Sequence, residues 1–325
     1  MLKAVFLLDA RSYKKIYPPE VRARISQLVD IYAPPQTAEM VAENSTVLNE
    51  CEAIFSGWGH PVFTSELLQA APKLKIVFYG AGTIKALVTD AFWKRGVRIT
   101  SAWAANAVPV VEYCLAQILL GLKTTWQQVN LCRSERTFRQ LPMAGAFGST
   151  VGLVSLGMIG RQLVKRLRTF EVNLIAYDPY VKAYPVVTMC SLEQVFQQSD
   201  VVSVHTPWLP ETFGLITGAH LASMKPYSTF INTSRGAIIR EQEMIAVLQD
   251  RPDLVAVIDV TYPEPPVPES PLYTLPNVIL TPHLAGSMDG ECRRMGQYMI
   301  AELERYLAGK PLRYELTRRK VVRMA

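Results

Sequence analysis

The stretch "TVGLVSLGMIGRQLVKRL", residues 150–167, combines an apolar run, a glycine-bearing turn and a segment with helical periodicity. In the last of these, Ile159, Leu163 and Leu167 recur every fourth residue, which predicts a helix with one buried face. The spacing in the turn is that of the dinucleotide-binding fingerprint G-x-G-x-x-G, except that Ser155 stands in place of the first glycine. A strand, this turn and a helix predict the beginning of a nucleotide-binding domain.

The two remaining glycines of the turn each have a structural role in a dinucleotide site. Gly157 lets the backbone approach a pyrophosphate, and Gly160 lets the helix pack closely on the strand. The pyrophosphate then meets free amides at the positive end of the helix, beside Met158 and Ile159. An alternative is a short turn that needs glycine only for its own geometry. If position 155 requires a positive φ, serine costs about 1 kcal/mol there, and Ser155→Gly should stabilise the protein or tighten cofactor binding.

A carboxylate at the end of the next apolar run favours the dinucleotide interpretation. Asp178 ends the stretch "VNLIAYD". An acidic residue at this place accepts hydrogen bonds from the ribose hydroxyls of the adenosine and repels a 2′-phosphate. The sequence therefore predicts NAD as the cofactor. Arg161 and Lys182 lie close by in the sequence, so NADP is the less favoured alternative.

The length and composition are those of a folded protein with two domains. The chain has 325 residues, of which 49% are hydrophobic and 19% are charged. The first apolar run, in "MLKAVFLLDARS", is too short for the core of a signal peptide. The longest run, residues 107–122, contains Glu112 and is too short for a clean membrane span. The five cysteines form no CxxC pair, which predicts buried, reduced thiols in a cytoplasmic protein.

The net charge of +6 does not by itself predict a nucleic-acid partner. Much of the excess lies in the tail "RYELTRRKVVRMA", whose five basic residues are opposed only by Glu315. Tails of this kind are usually solvated extensions. We therefore expect neither a nucleic acid nor a membrane as a partner, and we expect no metal site.

Short apolar runs alternate with helical segments in two series, which predicts parallel sheets with helices on both faces. In the first series the runs lie at 4–8, 53–56, 76–79 and 97–100, and Thr64 is a predicted helix N-cap. In the second series the runs end at Ser155, Tyr177, His205, Asn232, Asp259 and Thr281. Because ligands bind at the carboxyl ends of parallel strands, the residues that follow these runs are the candidate site.

Two longer helices are predicted at the domain boundaries. The segment "NAVPVVEYCLAQILLGLKTTWQQVN" has apolar residues at helical spacing after Pro109, which predicts one long helix at the start of the second domain. Near the C-terminus, Gly309 ends a second predicted helix, which we expect to return to the first domain. Its apolar residues are Met288, Cys292, Met295, Met299 and Leu303.

Three residues that follow strands of the second series form a candidate catalytic set. They are Arg235 in "FINTSRGA", Glu264 in "VAVIDVTYPEPP" and His283 in "VILTPHLAGS". Taken singly, each has an ordinary alternative: a surface arginine, a solvated glutamate or a structural histidine. An imidazole with a carboxylate partner can deliver a proton to a reacting group near neutral pH. The fork of an arginine can hold a carboxylate.

The chain resembles the D-isomer-specific 2-hydroxyacid dehydrogenase family over essentially its whole length. The motifs that carry the resemblance are "VGLVSLGMIG", "YDP", "SDVVSVHTPWLPETFGLI", "MKPYSTFINTSRGAII", "AVIDVTYPEP", "SPLYTLPNVILTPHLAG" and "VVEYCLAQILL". The resemblance implies an α/β fold of two doubly wound parallel-sheet domains. A Rossmann NAD-binding domain, residues 105–288, is inserted into a flavodoxin-like substrate domain, residues 1–104 plus 289–325. The implied function is an NAD-dependent oxidoreductase that transfers a hydride between nicotinamide and a D-2-hydroxy acid or 2-keto acid.

The same resemblance assigns roles to individual residues. Arg235, Glu264 and His283 match the catalytic set of the family, with His283 as the acid–base group. Asp259 is expected to meet the nicotinamide side of the cofactor. The other residues expected along the cofactor groove are Ser155, Gly157, Met158, Ile159, Gly160, Asp178, His205, Thr206, Pro207, Thr212, Thr233, Ser234 and Gly286.

In the first domain the carboxylate of the substrate is expected at the backbone amides of Gly80, Ala81 and Gly82 in "YGAG". Trp58, in "SGWGHP", is expected on the wall of the substrate site. The family commonly has an aspartate shortly after the glycine stretch, whereas this chain has Lys85 there. The fold and the chemistry therefore transfer from the family, but the choice of 2-hydroxy acid does not.

Two other functions stay open at the level of the sequence. One is an NAD(H)-binding regulatory protein of the corepressor type without significant turnover, since the family includes such proteins. The other is oxidation of an inorganic or one-carbon substrate on the same scaffold. The resemblance also implies a homodimer formed through the region around 107–148.

Overall fold

The computed structural model describes residues 1–322, and the last three residues of the basic tail and of the predicted first domain lie outside the described residues. The chain divides into two units. The first comprises Met1–Ala107 together with the segment that starts at Ser287, and the second comprises Val108–Gly286. In sequence, the second unit is thus an insertion in the first.

The first unit begins with a strand–helix alternation. In chain order its elements are β1 (Lys3–Leu7), α1 (Ala10–Ile16), α2 (Pro19–Leu28), β2 (Asp30–Ile31), α3 (Ala38–Glu43), β3 (Ala53–Ser56), α4 (Ser65–Ala70), β4 (Ile76–Tyr79), α5 (Asp90–Arg95) and β5 (Arg98–Ser101). The prediction that Thr64 caps a helix is confirmed, because its hydroxyl accepts a hydrogen bond from the Leu67 amide at 3.3 Å.

The chain then passes into the second unit and returns. The next elements are α6 (Trp103–Leu122), α7 (Thr125–Glu135), β6 (Thr150–Val154), α8 (Met158–Leu167), β7 (Asn173–Tyr177), β8 (Thr188–Met189), α9 (Leu192–Gln198), β9 (Val201–Val204), α10 (Gly218–Ala222), β10 (Thr229–Asn232), α11 (Glu241–Asp250), β11 (Val255–Ile258) and β12 (Val278–Leu280). The returning segment forms α12 (Cys292–Leu307), β13 (Glu315–Leu316) and α13 (Arg318–Val321). Short 3-10 turns lie at Ser45–Leu48, Pro210–Thr212, Gly236–Ile238, Pro271–Tyr273 and Asp289–Glu291.

The sheet of the first unit has the strand order β13-β5-β4-β3-β1-β2. Its strands are parallel, with Phe6 opposite Phe55 and Phe55 opposite Phe78, except that β13 runs antiparallel to β5. The order 2-1-3-4-5 of the parallel strands is that of flavodoxin-like folds. On one face, Phe55 and Phe78 stack with ring centroids 5.0 Å apart and share a core cluster with Met295 and Met299 of α12.

The sheet of the second unit has the strand order β12-β11-β10-β9-β6-β7-β8, and each neighbouring pair is parallel. From β6 the chain moves outward to β7 and β8, and then returns to β9 on the other side of β6. The carboxyl ends of β6 and β9 therefore form the topological switch point at which open α/β sheets bind ligands. With two mainly parallel sheets, the predicted fold class is confirmed.

The prediction of a single long helix after Pro109 was wrong, because the segment forms two helices. α6 begins at Trp103, ahead of the proline, and α7 begins as a separate helix at Thr125. Thr124 interrupts them with a left-handed φ of 47°. A residue in this conformation cannot continue a right-handed helix. The spacing of apolar residues does not report the backbone dihedral of one residue. The helical spacing therefore continues across Thr124 although the helix does not.

The C-terminal helix also starts later than predicted. α12 begins at Cys292, so Met288 lies before it, ahead of the 3-10 turn. The other apolar residues of the predicted stripe, Cys292, Met295, Met299 and Leu303, are buried. The helix packs against α1 and α2 of the first unit.

Helix α6 is long and apolar enough to cross a membrane by length and composition alone, with a mean hydropathy of 1.5. Within the protein, however, 56% of this apolar window is buried. Val111, Cys114 and Ile118 belong to a core cluster of the second unit. A helix that is apolar on most sides is typical of protein cores as well as of membranes, and here the core accounts for its composition.

Candidate functional site

The candidate site residues of the second unit follow the carboxyl ends of its strands. Strands β6, β7, β9, β10, β11 and β12 end at Val154, Tyr177, Val204, Asn232, Ile258 and Leu280. Each of these ends lies within one residue of the predicted one. Because the strands are parallel, the residues that follow them lie at the same end of the sheet.

The turn between β6 and α8 has the geometry that a dinucleotide requires. Gly157 is the N-cap residue of α8, and a Cβ atom there would meet nothing within 4 Å, so the helix N-terminus is open. A Cβ atom on Gly160 would lie 2.4 Å from the carbonyl oxygen of Ser155, so close packing requires glycine at this position. Open amides at a helix N-terminus bind phosphate groups. The turn therefore fits the pyrophosphate of NAD.

Ser155 has the positive φ that its place in the fingerprint suggested, 78°. Its hydroxyl oxygen lies 2.9 Å from that of Thr206. Ser155 follows β6 and Thr206 follows β9, so this hydrogen bond spans the switch point of the sheet. The serine side chain thus makes a contact that offsets the strain of its backbone.

The hydrogen bond to Thr206 revises the stabilisation that the sequence predicted for Ser155→Gly: we now expect the free energy of unfolding to stay within about 0.5 kcal/mol of the parent. Relief of left-handed strain, about 1 kcal/mol, offsets the loss of a hydrogen bond worth about 1 kcal/mol. Ser155→Ala loses the hydrogen bond and keeps the strain, so it should be the least stable, by about 1 kcal/mol. Urea unfolding of the three proteins measures both differences. A clear gain of stability in Ser155→Gly would show that the hydrogen bond contributes nothing.

The carboxylate of Asp178 is oriented by two backbone amides. Its Oδ2 accepts from the Leu156 amide at 2.8 Å and its Oδ1 from the Tyr180 amide at 2.9 Å. Each carboxylate oxygen can accept a further hydrogen bond, so the group can still bind ribose hydroxyls. Arg161 is held locally: its Nε donates to the Leu156 carbonyl at 2.7 Å, and its guanidinium lies 5.3 Å from the ring centre of Tyr184. Both the carboxylate of Asp178 and the guanidinium of Arg161 thus lie next to Leu156 in the turn after β6.

His205 lies inside the fold. It is buried, and neither ring nitrogen has a hydrogen-bond partner among the described residues. Burial lowers the pKa of His205 to about 3, so the ring is neutral at physiological pH. A ring that stays neutral in this range is unsuited to the role of general acid, and its place in the wall of the groove stays a prediction.

Other residues expected along the groove have hydrogen-bond partners in their own loops or, for Thr233, on helix α6. The Thr212 hydroxyl donates to the Pro207 carbonyl at 2.6 Å. The Ser234 hydroxyl donates to Oδ1 of Asn232 at 2.7 Å. The Thr233 hydroxyl oxygen lies 3.1 Å from the sulfur of a buried cysteine on α6. These hydroxyls therefore shape the loops that follow β9 and β10.

The candidate catalytic residues follow three adjacent strands: Arg235 follows β10, Glu264 follows β11 and His283 follows β12. Nδ1 of His283 lies 2.5 Å from Oε1 of Glu264. The two side chains are 47% and 42% exposed, so a ligand can reach the pair. The structure thus brings together a histidine and a carboxylate in the geometry of an acid–base pair.

Arg235 is partly buried, and its Nη1 donates to the Ser234 carbonyl at 2.6 Å. Burial lowers the pKa of the Arg235 guanidinium from its ordinary value, and the negative charge of Glu264 opposes this shift. An arginine nevertheless keeps its proton in proteins. Glu264 therefore interacts with Arg235 through space as well as with His283 by direct contact.

Asp259 is almost fully buried, and it organises the loop that carries His283. Its Oδ1 accepts from the Leu284 amide at 2.9 Å and its Oδ2 from the Ala285 amide at 3.0 Å. Its carbonyl oxygen accepts from the His283 amide at 3.0 Å. Three successive amides thus point at one aspartate, and His283 adopts a left-handed φ of 52°. Such a strained conformation persists when several surrounding contacts hold it in place.

The sequence did not identify two residues near Asp259: one is in direct contact with it, and the other contacts the first. The Thr281 hydroxyl lies 2.6 Å from Oδ1 of Asp259, and the Tyr113 hydroxyl lies 3.2 Å from Oγ1 of Thr281. Thr281 carries a signal in the sequence, since it is the polar residue that ends an apolar run. Tyr113 carries none, because it lies far earlier in the chain, on the apolar helix α6.

In the first unit, the "YGAG" loop follows β4. The Gly80 amide donates to the Ser56 carbonyl at 2.7 Å, and a Cβ atom on Gly80 would lie 2.8 Å from the hydroxyl oxygen of Tyr17. This glycine therefore serves the packing of the loop, and its amide is already engaged within the fold.

The next two residues of the same loop have their carbonyls engaged. The Ser101 hydroxyl lies 2.9 Å from the Ala81 carbonyl oxygen and 2.5 Å from that of Gly82. Within the described residues, the amides of Ala81 and Gly82 donate to no acceptor. Trp58 of the same unit is exposed, and Lys85 is half-buried.

Comparison with known proteins identifies the family. Residues 115–285, more than half of the chain, match the model of the D-isomer specific 2-hydroxyacid dehydrogenase, NAD binding domain. The chain belongs to the D-isomer-specific 2-hydroxyacid dehydrogenase family. This 2-hydroxyacid dehydrogenase family member is 34% identical to the D-3-phosphoglycerate dehydrogenase of Mycobacterium bovis over 252 residues, which are 76% of this chain and 47% of that protein. The chain spans about half the length of the curated relatives it matches.

Solved structures of the 2-hydroxyacid dehydrogenase family share the fold. The enzyme from Lactobacillus delbrueckii ssp. bulgaricus, in its NAD complexed form, matches with a TM-score of 0.80 at 21% identity, covering 97% of this chain and 100% of that chain. The enzyme from Xanthobacter autotrophicus Py2, in complex with NADPH and MES, matches with a TM-score of 0.79 at 22% identity, covering 99% and 100%. At these identities the likeness concerns the fold alone.

Proposed function

We propose that this family member is an NAD-dependent dehydrogenase that interconverts a D-2-hydroxy acid and the corresponding 2-keto acid. The observation that carries the proposal is the contact of 2.5 Å between His283 and Glu264, with Arg235 at the end of the neighbouring strand β10. An accessible histidine–carboxylate pair is suited to proton transfer, and a guanidinium is suited to binding a carboxylate. We assign cofactor binding and the three catalytic side chains to the second unit, and further candidate substrate-binding residues to the first.

The three side chains divide the chemistry between them. NAD, when bound, supplies the hydride acceptor or donor. In reduction, the imidazolium of His283 gives a proton to the carbonyl oxygen, and in oxidation the neutral ring takes a proton from the hydroxyl. Because Nδ1 contacts Glu264, Nε2 is the nitrogen that exchanges the proton. Arg235 binds the substrate carboxylate and stabilises negative charge on the oxygen.

In the first unit we propose the amides of Ala81 and Gly82 as donors to the substrate carboxylate. Their carbonyls are engaged by Ser101, while the two amides donate to no acceptor among the described residues; Ala81 is buried and Gly82 is partly exposed. Trp58 and Lys85 are proposed to select the remainder of the substrate, since one offers an aromatic surface and the other a positive charge.

A panel of 2-keto acids, assayed with NADH by the loss of its absorbance, tests the function. Turnover of at least one of them supports the proposal. Tight NADH binding without turnover of any 2-keto acid would instead support the regulatory alternative, which the dehydrogenases among the curated relatives do not favour. Inorganic and one-carbon donors, assayed with NAD, complete the panel.

The cofactor preference is a separate prediction. We expect NADH to bind at least tenfold more tightly than NADPH, a difference of about 1.4 kcal/mol, because Asp178 repels a 2′-phosphate. Fluorescence titration measures both affinities, and Asp178→Asn should narrow the difference. The measurement is informative because family structures have been solved with NAD and with NADPH. Equal affinities for the two cofactors in the parent protein would refute the assignment of Asp178.

Glu264→Gln should lower kcat about tenfold in both directions, because it disturbs the orientation of the acid–base ring. The variant keeps the shape of the side chain but removes the carboxylate oxygen that lies 2.5 Å from Nδ1 of His283. Initial rates of reduction and oxidation, together with an NADH titration, measure this result. An unchanged kcat in both directions would contradict the pairing.

We further propose a homodimer formed through the region around 107–148. Within that region Phe138 is 100% exposed and Phe147 80% exposed, and side chains of this size are usually covered. Light scattering of the purified protein measures the mass. We also propose a reducing, cytoplasmic compartment, because the five cysteines all lie among the described residues and all are free.

A further inference from the structure

We propose that Tyr113 and Thr281 are positioning residues for His283 and that they act through the carboxylate of Asp259. The inference rests on the proposed function only in giving His283 the acid–base role. The residues form a continuous chain: the Tyr113 hydroxyl lies 3.2 Å from that of Thr281, which lies 2.6 Å from Oδ1 of Asp259. The Asp259 carboxylate accepts from the amides of Leu284 and Ala285, and its main-chain carbonyl accepts from the His283 amide.

The direction of the hydrogen bonds follows from the chemistry of the three groups. A carboxylate only accepts, and the Asp259 side chain accepts from three donors, the Thr281 hydroxyl and the amides of Leu284 and Ala285. The Thr281 hydroxyl must therefore donate to Oδ1 of Asp259. Its oxygen is then left with lone pairs, so the Tyr113 hydroxyl donates to Thr281. Burial raises the pKa of Tyr113, so this donor keeps its proton.

The chain matters because the backbone of His283 is strained. A left-handed conformation costs a residue other than glycine about 1 kcal/mol or more, and neighbouring contacts must hold it. The Leu284 amide and the Thr281 hydroxyl share Oδ1 of Asp259, so these two bonds fix the rotation of the carboxylate. Without the hydroxyl, the carboxylate is free to turn away from the amides. The His283 ring would then leave its contact with Glu264.

Helix α6 supplies the fixed end of the chain. Val110, Val111 and Cys114, next to Tyr113 on this helix, are buried in the core of the second unit. A site is held most accurately when its supporting side chains stand on rigid elements. Through Tyr113, the loop residue Thr281 is thus hydrogen-bonded to the buried helix α6, which lies far away in the sequence.

The test observes the His283 ring directly in the cofactor-free protein, by NMR with 13C-labelled histidine. The chain has only four histidines, and the spectrum of His283→Asn assigns the signal. His60 and His205 are internal references, because burial lowers their pKa values to about 4 and about 3 and keeps both rings neutral from pH 6 to 9. The variants are Thr281→Val, Thr281→Ser and Tyr113→Phe.

Two exposed hydroxyls near the Pro271–Tyr273 turn provide matched controls. Tyr273 donates to the Pro266 carbonyl at 3.2 Å, and Thr274 donates to the Pro271 carbonyl at 3.3 Å. Tyr273→Phe and Thr274→Val remove the same atoms as the test variants without touching the chain to Asp259. They should leave the His283 signal where it is in the parent protein.

We expect Thr281→Val to move the His283 signal and to lower kcat for keto-acid reduction about tenfold, with KM changed much less. Thr281→Ser keeps the hydroxyl and should restore both. Tyr113→Phe should move the signal in the same direction by a smaller amount, and it serves as the second test if Thr281→Val folds poorly. An unmoved signal in Tyr113→Phe and Thr281→Val, or no rescue by serine, overturns the proposal. If the His283 signal moves but the parent protein reduces no 2-keto acid, the positioning role of Tyr113 and Thr281 is supported and the proposed function is refuted.

Discussion

Replacing His283 by asparagine will lower the turnover of 2-keto acids by about 10²–10⁴-fold, which is the usual contribution of a general acid–base group. Asparagine is polar, is smaller than histidine, and tolerates the left-handed φ of 52° that position 283 adopts. The loop should therefore keep its hydrogen bonds to Asp259, and NADH should bind with little change. The loss then reports on proton transfer and not on folding.

Initial rates with the best substrate of the panel, together with an NADH titration, measure this result. His220 offers a matched control, because its Nδ1 accepts from the Thr217 amide at 3.1 Å within α10 and it has no part in the proposed site. His220→Asn should leave kcat near that of the parent. Near-normal turnover in His283→Asn would mean that another group supplies the proton, and the central assignment would be wrong.

Gly236→Ala should be the most damaging of the single-methyl substitutions near the site. A Cβ atom on Gly236 would lie 2.0 Å from the carbonyl carbon and 2.2 Å from the carbonyl oxygen of Thr261. The obstacle is backbone, so no side-chain rotation can relieve it. Gly236 follows Arg235, and Thr261 belongs to the loop that carries Glu264, so the methyl group forces the two loops apart. We expect a loss of about 3 kcal/mol in the free energy of unfolding and a fall of about 10²-fold in kcat/KM.

Urea unfolding and steady-state kinetics measure the two effects of Gly236→Ala. Gly290→Ala is the matched control, because a Cβ atom at Gly290 would meet nothing within 4 Å. It should change the free energy of unfolding by no more than about 0.5 kcal/mol. If Gly236→Ala were as stable and as active as this control, the loops after β10 and β11 would not need their observed separation.

Much of the site could be predicted because strand ends carry a local signal. An apolar run that stops at a polar residue marks the carboxyl end of a strand, and parallel strands bring such ends together. Arg235, Glu264 and His283 were found in this way, each past the end of a strand. Asp178 was found by the same argument, at the end of β7.

The contacts that hold these residues in place had no such signal. Tyr113 meets Thr281 across 168 positions of the chain, and the Ser155 hydroxyl meets Thr206 across 51. Neither contact can be inferred from the spacing of residues within one element. The break at Thr124 was missed for a related reason, since one backbone dihedral leaves the apolar pattern on both sides unchanged.

By itself, then, the sequence determined the α/β class, the order of strands and helices in each series, the dinucleotide turn and the identity of the candidate catalytic residues. These depend on periodicity and on residue chemistry, which are properties of short stretches. Only the tertiary structure decided that Asp259 holds the loop of His283, that Gly80 donates its amide within the fold, and that Gly236 must have no side chain. These depend on atoms brought within a few ångströms by the folding of distant segments, and no local pattern encodes such distances.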